Sequence, residues 1–343
     1  MQRPTIKDIA EVAGVSPSAV SFALNGRPGV SQSTRQRIVA VANEMGWTPN
    51  VAARALSASR AGALGLVIAR PSTAVSAERF FFEFIVGMQG ELTRAGMSLV
   101  LQIVETPAEE IATYRTWWSQ RRVDGVVVVD PRSEDQRLPV LSELSLPYVL
   151  VGEVDTSGMP SVLGDEEGMI DGVLTHLVEQ GRERIAYVCG TASVLHNARR
   201  SAALSTAGRR AGVEIMVDQA VDYTERSGGQ ATAELMGGRR VPDAIVYDNE
   251  VLTVGGVAEL RRSAVQVGTD VAVVSLEDSS VLRLLDPPIT AVHRDPGAMA
   301  QTATRLLVDY LDDGVSQTVR SRTPGLTVRA SSRRPAAEAL AQA

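Results

Sequence analysis

The sequence predicts a two-part protein: a short all-α head, then an α/β body of doubly wound parallel sheets. Three observations predict it. The first 60 residues show helical patterning and no good strand. From Ala63 onward, strand-length runs rich in Val and Ile alternate with amphipathic helical segments, as strands buried on both faces require. The formal charge of -6 is also divided unevenly: residues 1–60 hold seven Lys and Arg against three Asp and Glu, a head of +4 on a body of -10. Such a basic head would concentrate polyanion binding at the N-terminus.

Each element has a local reason. Thr5 can cap a helix over Ile6–Ala13, which Gly14 ends. Ser16 caps a second helix opening with Pro17, a position where the missing N–H costs nothing. A third helix is expected over 33–45, before Gly46, and 47–50 breaks the pattern. The alanine-rich stretch that follows has too little apolar face to fold alone. In the body, strands are expected at 63–69, 98–104, 125–130, 148–152, 184–190, 243–248 and 271–277. Helices are expected near 79–95, 107–121, 166–180, 195–211, 226–237, 250–262 and 297–313. About 280 residues are too many for one open sheet, so two similar lobes are expected.

Composition, with 44% hydrophobic and 22% charged residues, is that of a globular protein. Cys189 is the sole cysteine, which excludes a disulfide framework and most thiolate metal sites. No signal-peptide pattern opens the chain and no run could span a membrane, so a cytoplasmic location is expected. Lys7 is the sole lysine, a bias we attribute to genomic base composition. GxGxxG, a Walker lysine loop and a GxSxG elbow are all absent, and His176, His196 and His293 lack metal-ligand spacing. The expectation is a non-enzyme without cofactor or metal.

The head carries the strongest motif. With the first helix starting at Ile6, Ala10 is a small contact residue, Gly14 the turn, and Val15, Val20 and Ala23 lock the second helix. Pro17, Ser18, Ser21 and Phe22 then face outward, although the pattern alone also allows Phe22 into a core. TIKDIAEVAGVSPSAVSFALNG followed by VSQSTRQRIVAVANEMGWTPNVAARAL resembles the N-terminus of the LacI/GalR family of bacterial transcription regulators. VDGVVVVD (123–130), the run 159–190, LLDPPITAV (284–292) and TPGLTVRAS (323–331) resemble that family's periplasmic-binding-protein-like body.

The resemblance implies a fold and a set of site residues. The fold would be a helix-turn-helix DNA-binding domain at 1–48 and a hinge helix with linker at 49–60. One lobe would be 61–160 with 291–322, the other 161–290 with 323–335, before a tail at 336–343. Pro17, Ser18 and Phe22, with Ser21 beside them, would face bases in the major groove of a palindromic operator read by a homodimer. Thr5, Ser16, Asn25, Ser31 and Thr34 would position the DNA backbone. Asn50, Ala53 and Leu56 belong to the implied hinge, with Leu56 the minor-groove wedge. Relatives commonly have arginine where Phe22 stands. Arginine pairs with guanine, whereas phenylalanine packs on a thymine methyl.

The expected effector is a small molecule, a carbohydrate above all, held between the lobes beyond strand ends. Its candidate contacts are Phe82, from the run Phe80-Phe81-Phe82, and Asp165, Arg200, Asn249 and Glu277. The Phe run serves a sugar ring or the core; Asp165 and Glu166 serve ligand or helix capping. Ala198 stands where relatives often carry a clamping arginine, so either Arg199 or Arg200 takes that role or the pocket binds something else. Trp117-Trp118 is expected on a helix face against the sheet or a partner. The tail lacks leucine heptads, so a dimer is expected, most simply a repressor. The competing reading is a solute-binding module without a DNA role.

Overall fold

The computed structural model describes residues 4–24, 27–47, 60–70, 78–190, 193–220 and 222–334. They form two units, Met1–Ala61 and Gly62–Ala343. Asn25, Asn50, Ala53, Leu56 and the tail 336–343 lie outside the described residues.

The head consists of α1 (Ile6–Ala13), α2 (Pro17–Leu24) and α3 (Gln32–Glu44). Thr5 and Asp8 close a reciprocal capping box on α1, and Gly14 ends it at φ 63, a left-handed turn suited to glycine. Ile9, Ala10, Ala13, Val20, Ala23, Ile38 and Ala42 meet in one core. The small alanines let the helices approach, and the branched residues fill the gap.

The body holds two six-stranded sheets. The first contains β1 (Ala63–Ala69), β2 (Ser98–Val104), β3 (Gly125–Val128), β4 (Tyr148–Val151), β5 (Ser161–Leu163) and β11 (Thr318–Arg320). They run parallel in the order β11-β5-β4-β3-β1-β2. α4 (Arg79–Ala95) and α12 (Pro296–Asp313) cover one face. α5 (Pro107–Ser119) and α6 (Arg137–Glu143) cover the other.

The second sheet contains β6 (Arg184–Cys189), β7 (Glu214–Gln219), β8 (Ala244–Tyr247), β9 (Ala272–Ser275), β10 (Thr290–His293) and β12 (Gly325–Thr327). Its order is β12-β10-β9-β8-β6-β7, with β12 alone antiparallel among the described strands. α7 (Glu166–Glu179) and α8 (Leu195–Ala211) pack on one face. α9 (Glu225–Gly237), α10 (Glu250–Arg262) and α11 (Ser280–Leu284) pack on the other.

The chain passes between the sheets at 164–165, 294–295 and 321–324. The first two crossings lie a few residues beyond those expected from sequence. The short runs Ser161–Leu163 and Thr290–His293 pair with the sheets they follow, and this delays each exit.

Candidate functional site

In the head, Ser16, Pro17, Ser18 and Phe22 are exposed and Ser21 is half-buried. Phe22 stays out of the core, at 39% exposure. Its ring leans against the backbone of Gly29. Thr5 Oγ1 accepts from the Asp8 amide, Ser16 Oγ from that of Ala19 (3.2 Å), and Ser31 Oγ from that of Thr34 (3.3 Å). Each hydroxyl thus marks a helix N-terminus, whose remaining amides suit an anionic oxygen. Arg35 behaves otherwise: its guanidinium donates to the Ala23 carbonyl (2.9 Å) and the Arg27 carbonyl (2.7 Å), closing the end of α2. That role leaves no trace in sequence spacing.

In the body, a cleft opens where strand order reverses in both sheets, between β1 and β3 and between β6 and β8. The chain places Arg70 just after β1 and Asp130 after β3. Asp248 and Asn249 follow β8, Glu277 follows β9, and Glu166 opens α7. His196 and Arg200 come from the first two turns of α8.

Arg200 donates to Glu166 (2.5 Å) and Asp248 (2.6 Å), and Tyr187 donates its hydroxyl to Asp248. Arg70 bonds Asp130 (2.7 Å) and Glu78 (2.8 Å) while stacking on the Tyr223 ring at 4.6 Å. His196 sits between Asp130 and Asp248, about 4 Å from each. Arg294 approaches Glu166 (3.6 Å) and Glu277 (3.7 Å). Main-chain bonds from Ser133 to Ser193 (3.1 Å) and from Leu195 to Pro131 (2.9 Å) tie the lobes beside the cleft.

Among the described residues, three guanidinium groups and five carboxylates line this cleft. Burial resists a surplus of charge. Glu277 is pushed up to about 7 and Glu78 to about 8, chiefly by burial, so near neutrality Glu78 holds its proton while Glu277 is about half-protonated. Burial opposes ionisation of Glu166 too, yet Arg200 and Arg294 carry it down to about 2. Asp130 and Asp248 are likewise held low against burial, by Arg70 and Arg200 respectively. His196 falls to about 4 through burial and the neighbouring Arg200, so it is neutral. Three cations then face three anions and the half-ionised Glu277. The Asn249 side chain caps α10 by accepting from Leu252 (2.9 Å), and its buried Nδ2 has no partner among the described residues.

The description "Bacterial regulatory proteins, lacI family" matches residues 5–50, and a periplasmic binding protein-like domain matches 174–332. The HTH-type transcriptional regulator CelR of Thermobifida fusca is 29% identical over 93% of this chain and 95% of its own. The HTH-type transcriptional regulator AglR of Rhizobium meliloti (strain 1021) is 30% identical over 90% of this chain and 88% of its own. This chain belongs to the lacI family. A solved CelR–cellobiose complex superposes with a TM-score of 0.72 at 28% identity, covering 96% of this chain and 100% of that one. The protein is therefore a DNA-binding transcriptional regulator with an effector-binding body.

For this lacI-family regulator the effector residues expected from sequence are partly rearranged. Arg200, Asn249 and Glu277 line the cleft together. Arg199 instead turns outward to Glu153 and the Gly152 carbonyl, which settles which arginine enters. Phe82 is 69% exposed and outside the cleft, where Phe80 and Phe81 stand. One helical step of about 100° carries Phe82 off that face. Asp165 is also displaced: it caps α7 through Gly168 (3.0 Å) and accepts from Thr323.

Sequence reasoning passed over Arg70, Glu78, Asp130, His196, Asp248 and Arg294. Asp130 and Asp248 close strand-like runs, GVVVVD and DAIVYD, and that position was the available signal. Trp117 is buried beneath Gly65, while Trp118 is 48% exposed.

Proposed function

We propose that this regulator is a repressor that binds a palindromic operator as a homodimer and answers to a neutral carbohydrate held in its cleft. The charge balance of the cleft carries the effector assignment. Arg70 and Arg200 are bonded to four carboxyl groups at 2.5–2.8 Å, and Arg294 stands between Glu277 and the same Glu166 that Arg200 holds. A phosphorylated ligand would have to displace a carboxylate and lie among the rest. A polyol meets what is present: carboxylates that accept, a protonated Glu78 that donates, a Glu277 that can do either, and the Asn249 Nδ2 left unpaired among the described residues. The CelR–cellobiose complex, a similar protein with a neutral disaccharide, supports the same class.

The homodimer is proposed on the β2 edge of the first sheet, where Leu101 and Ile103 remain 41% and 43% exposed. On DNA, Pro17, Ser18 and Phe22, with Ser21, are proposed to face bases, and Thr5, Ser16, Ser31 and Thr34 to set the backbone. The test is a thermal-shift screen of neutral sugars beside their phosphates. A neutral sugar should raise Tm where its phosphate does not; stabilisation by phosphates alone would refute the assignment.

A further inference from the structure

The effector cleft is narrow, with room of about 60 Å³, enough for about four waters and far below a typical ligand site. A roomier chamber of about 480 Å³ adjoins it. The two share Phe80, Gly164, Glu166, Arg294 and Met299. A groove of about 640 Å³ on another side shares Gly164 and Glu166 with the cleft.

Two features single out the first chamber. Its walls take residues from all three crossings: Gly164 and Asp165, Arg294 and Asp295, and Ser321 through Pro324. The wall toward the cleft also carries the most loosely tied of the three guanidinium groups. Arg294 stands there with ion pairs of 3.6 and 3.7 Å, over the Phe80 ring at 5.8 Å. Arg70 and Arg200 are bonded at 2.5–2.8 Å. Rotation of the Arg294 side chain would therefore join chamber and cleft at less cost than moving either of the others.

We propose that this chamber is a second subsite of the effector site, taking the second ring of a neutral saccharide whose first ring enters the cleft when Arg294 swings aside and the two spaces join. The proposal rests on the carbohydrate reading above. Phe80, Met299 and Val319 offer an apolar surface to the C–H face of a sugar ring, while Thr302 and Asp295 offer hydroxyl partners. An occupant touching all three crossings would bind the lobe arrangements unequally, as any coupling to lobe motion requires.

Calorimetry on the full-length protein tests this with hexoses and their disaccharides as probes: glucose, galactose, cellobiose, maltose and melibiose. At least one disaccharide should bind tenfold or more tighter than its hexose. Ala298→Trp, at an exposed α12 position on the chamber wall, should collapse that ratio toward one. Thr302→Trp does the same from one helical turn away and covers a failure of the first variant to fold. Equal affinity for hexose and disaccharide, or a ratio unmoved in both variants, overturns the second subsite. If no neutral sugar binds the wild-type protein, the carbohydrate reading falls and takes this inference with it.

Discussion

Phe22 stands half-exposed on α2 with its ring against Gly29, available to a groove while braced by the loop behind it. A braced aromatic has little rotamer freedom to lose on binding, and it favours a thymine methyl over guanine. Binding-site selection should therefore return thymine at one half-site position, and Phe22→Arg should move that position toward guanine. Arg35 is predicted to act differently from the other basic residues of the head. Its guanidinium is committed to two carbonyls, so Arg35→Gln should weaken operator binding by destabilising α2 by about 1 kcal/mol, with the salt slope little changed. A slope reduced by about one would instead make it a phosphate contact. Glu78 binds its proton more tightly folded than unfolded, at about 8 against 4.5. Its stabilising contribution is complete below the unfolded value and is lost as pH rises through the folded one. Thermal unfolding across that range should show Tm falling less steeply with pH in Glu78→Gln than in wild type.

Helix pairs in both lobes close over glycines. A Cβ on Gly255 of α10 would lie 1.9 Å from the Glu225 carbonyl oxygen, and one on Gly87 of α4 would lie 2.3 Å from that of Gly297. Both contacts are to backbone, which cannot swing aside. Gly255→Ala should cost about 1–3 kcal/mol, read as a lower Tm of the body; an unchanged Tm would show that the helices yield freely. The long elements were legible in sequence because periodicity and caps agree. Arg79–Ala95, Leu195–Ala211 and Glu250–Arg262 carry continuous helical patterning between clear ends. Short elements were not. Arg137–Glu143 and Thr318–Arg320 have too few residues for a period, and they exist because neighbours complete them.

At the scale of the molecule, the regulator's site is built from residues distant in sequence that meet at two strand-order reversals. The local pattern announced Asn249 and Glu277 because they follow strand ends. It could not announce the partition of protons among five carboxyl groups, which depends on Arg70, Arg200 and Arg294 arriving from two strand ends and a helix far apart in sequence. The central claim joins the two units through function: a neutral saccharide in the body alters DNA binding by the head. The direct measurement is fluorescence anisotropy of a labelled palindromic duplex, recovered by site selection, titrated with protein at fixed salt with and without saturating saccharide. The account predicts that the saccharide changes operator affinity at least tenfold, whereas its phosphate does not. An operator affinity identical with and without a saccharide that binds the protein would contradict it.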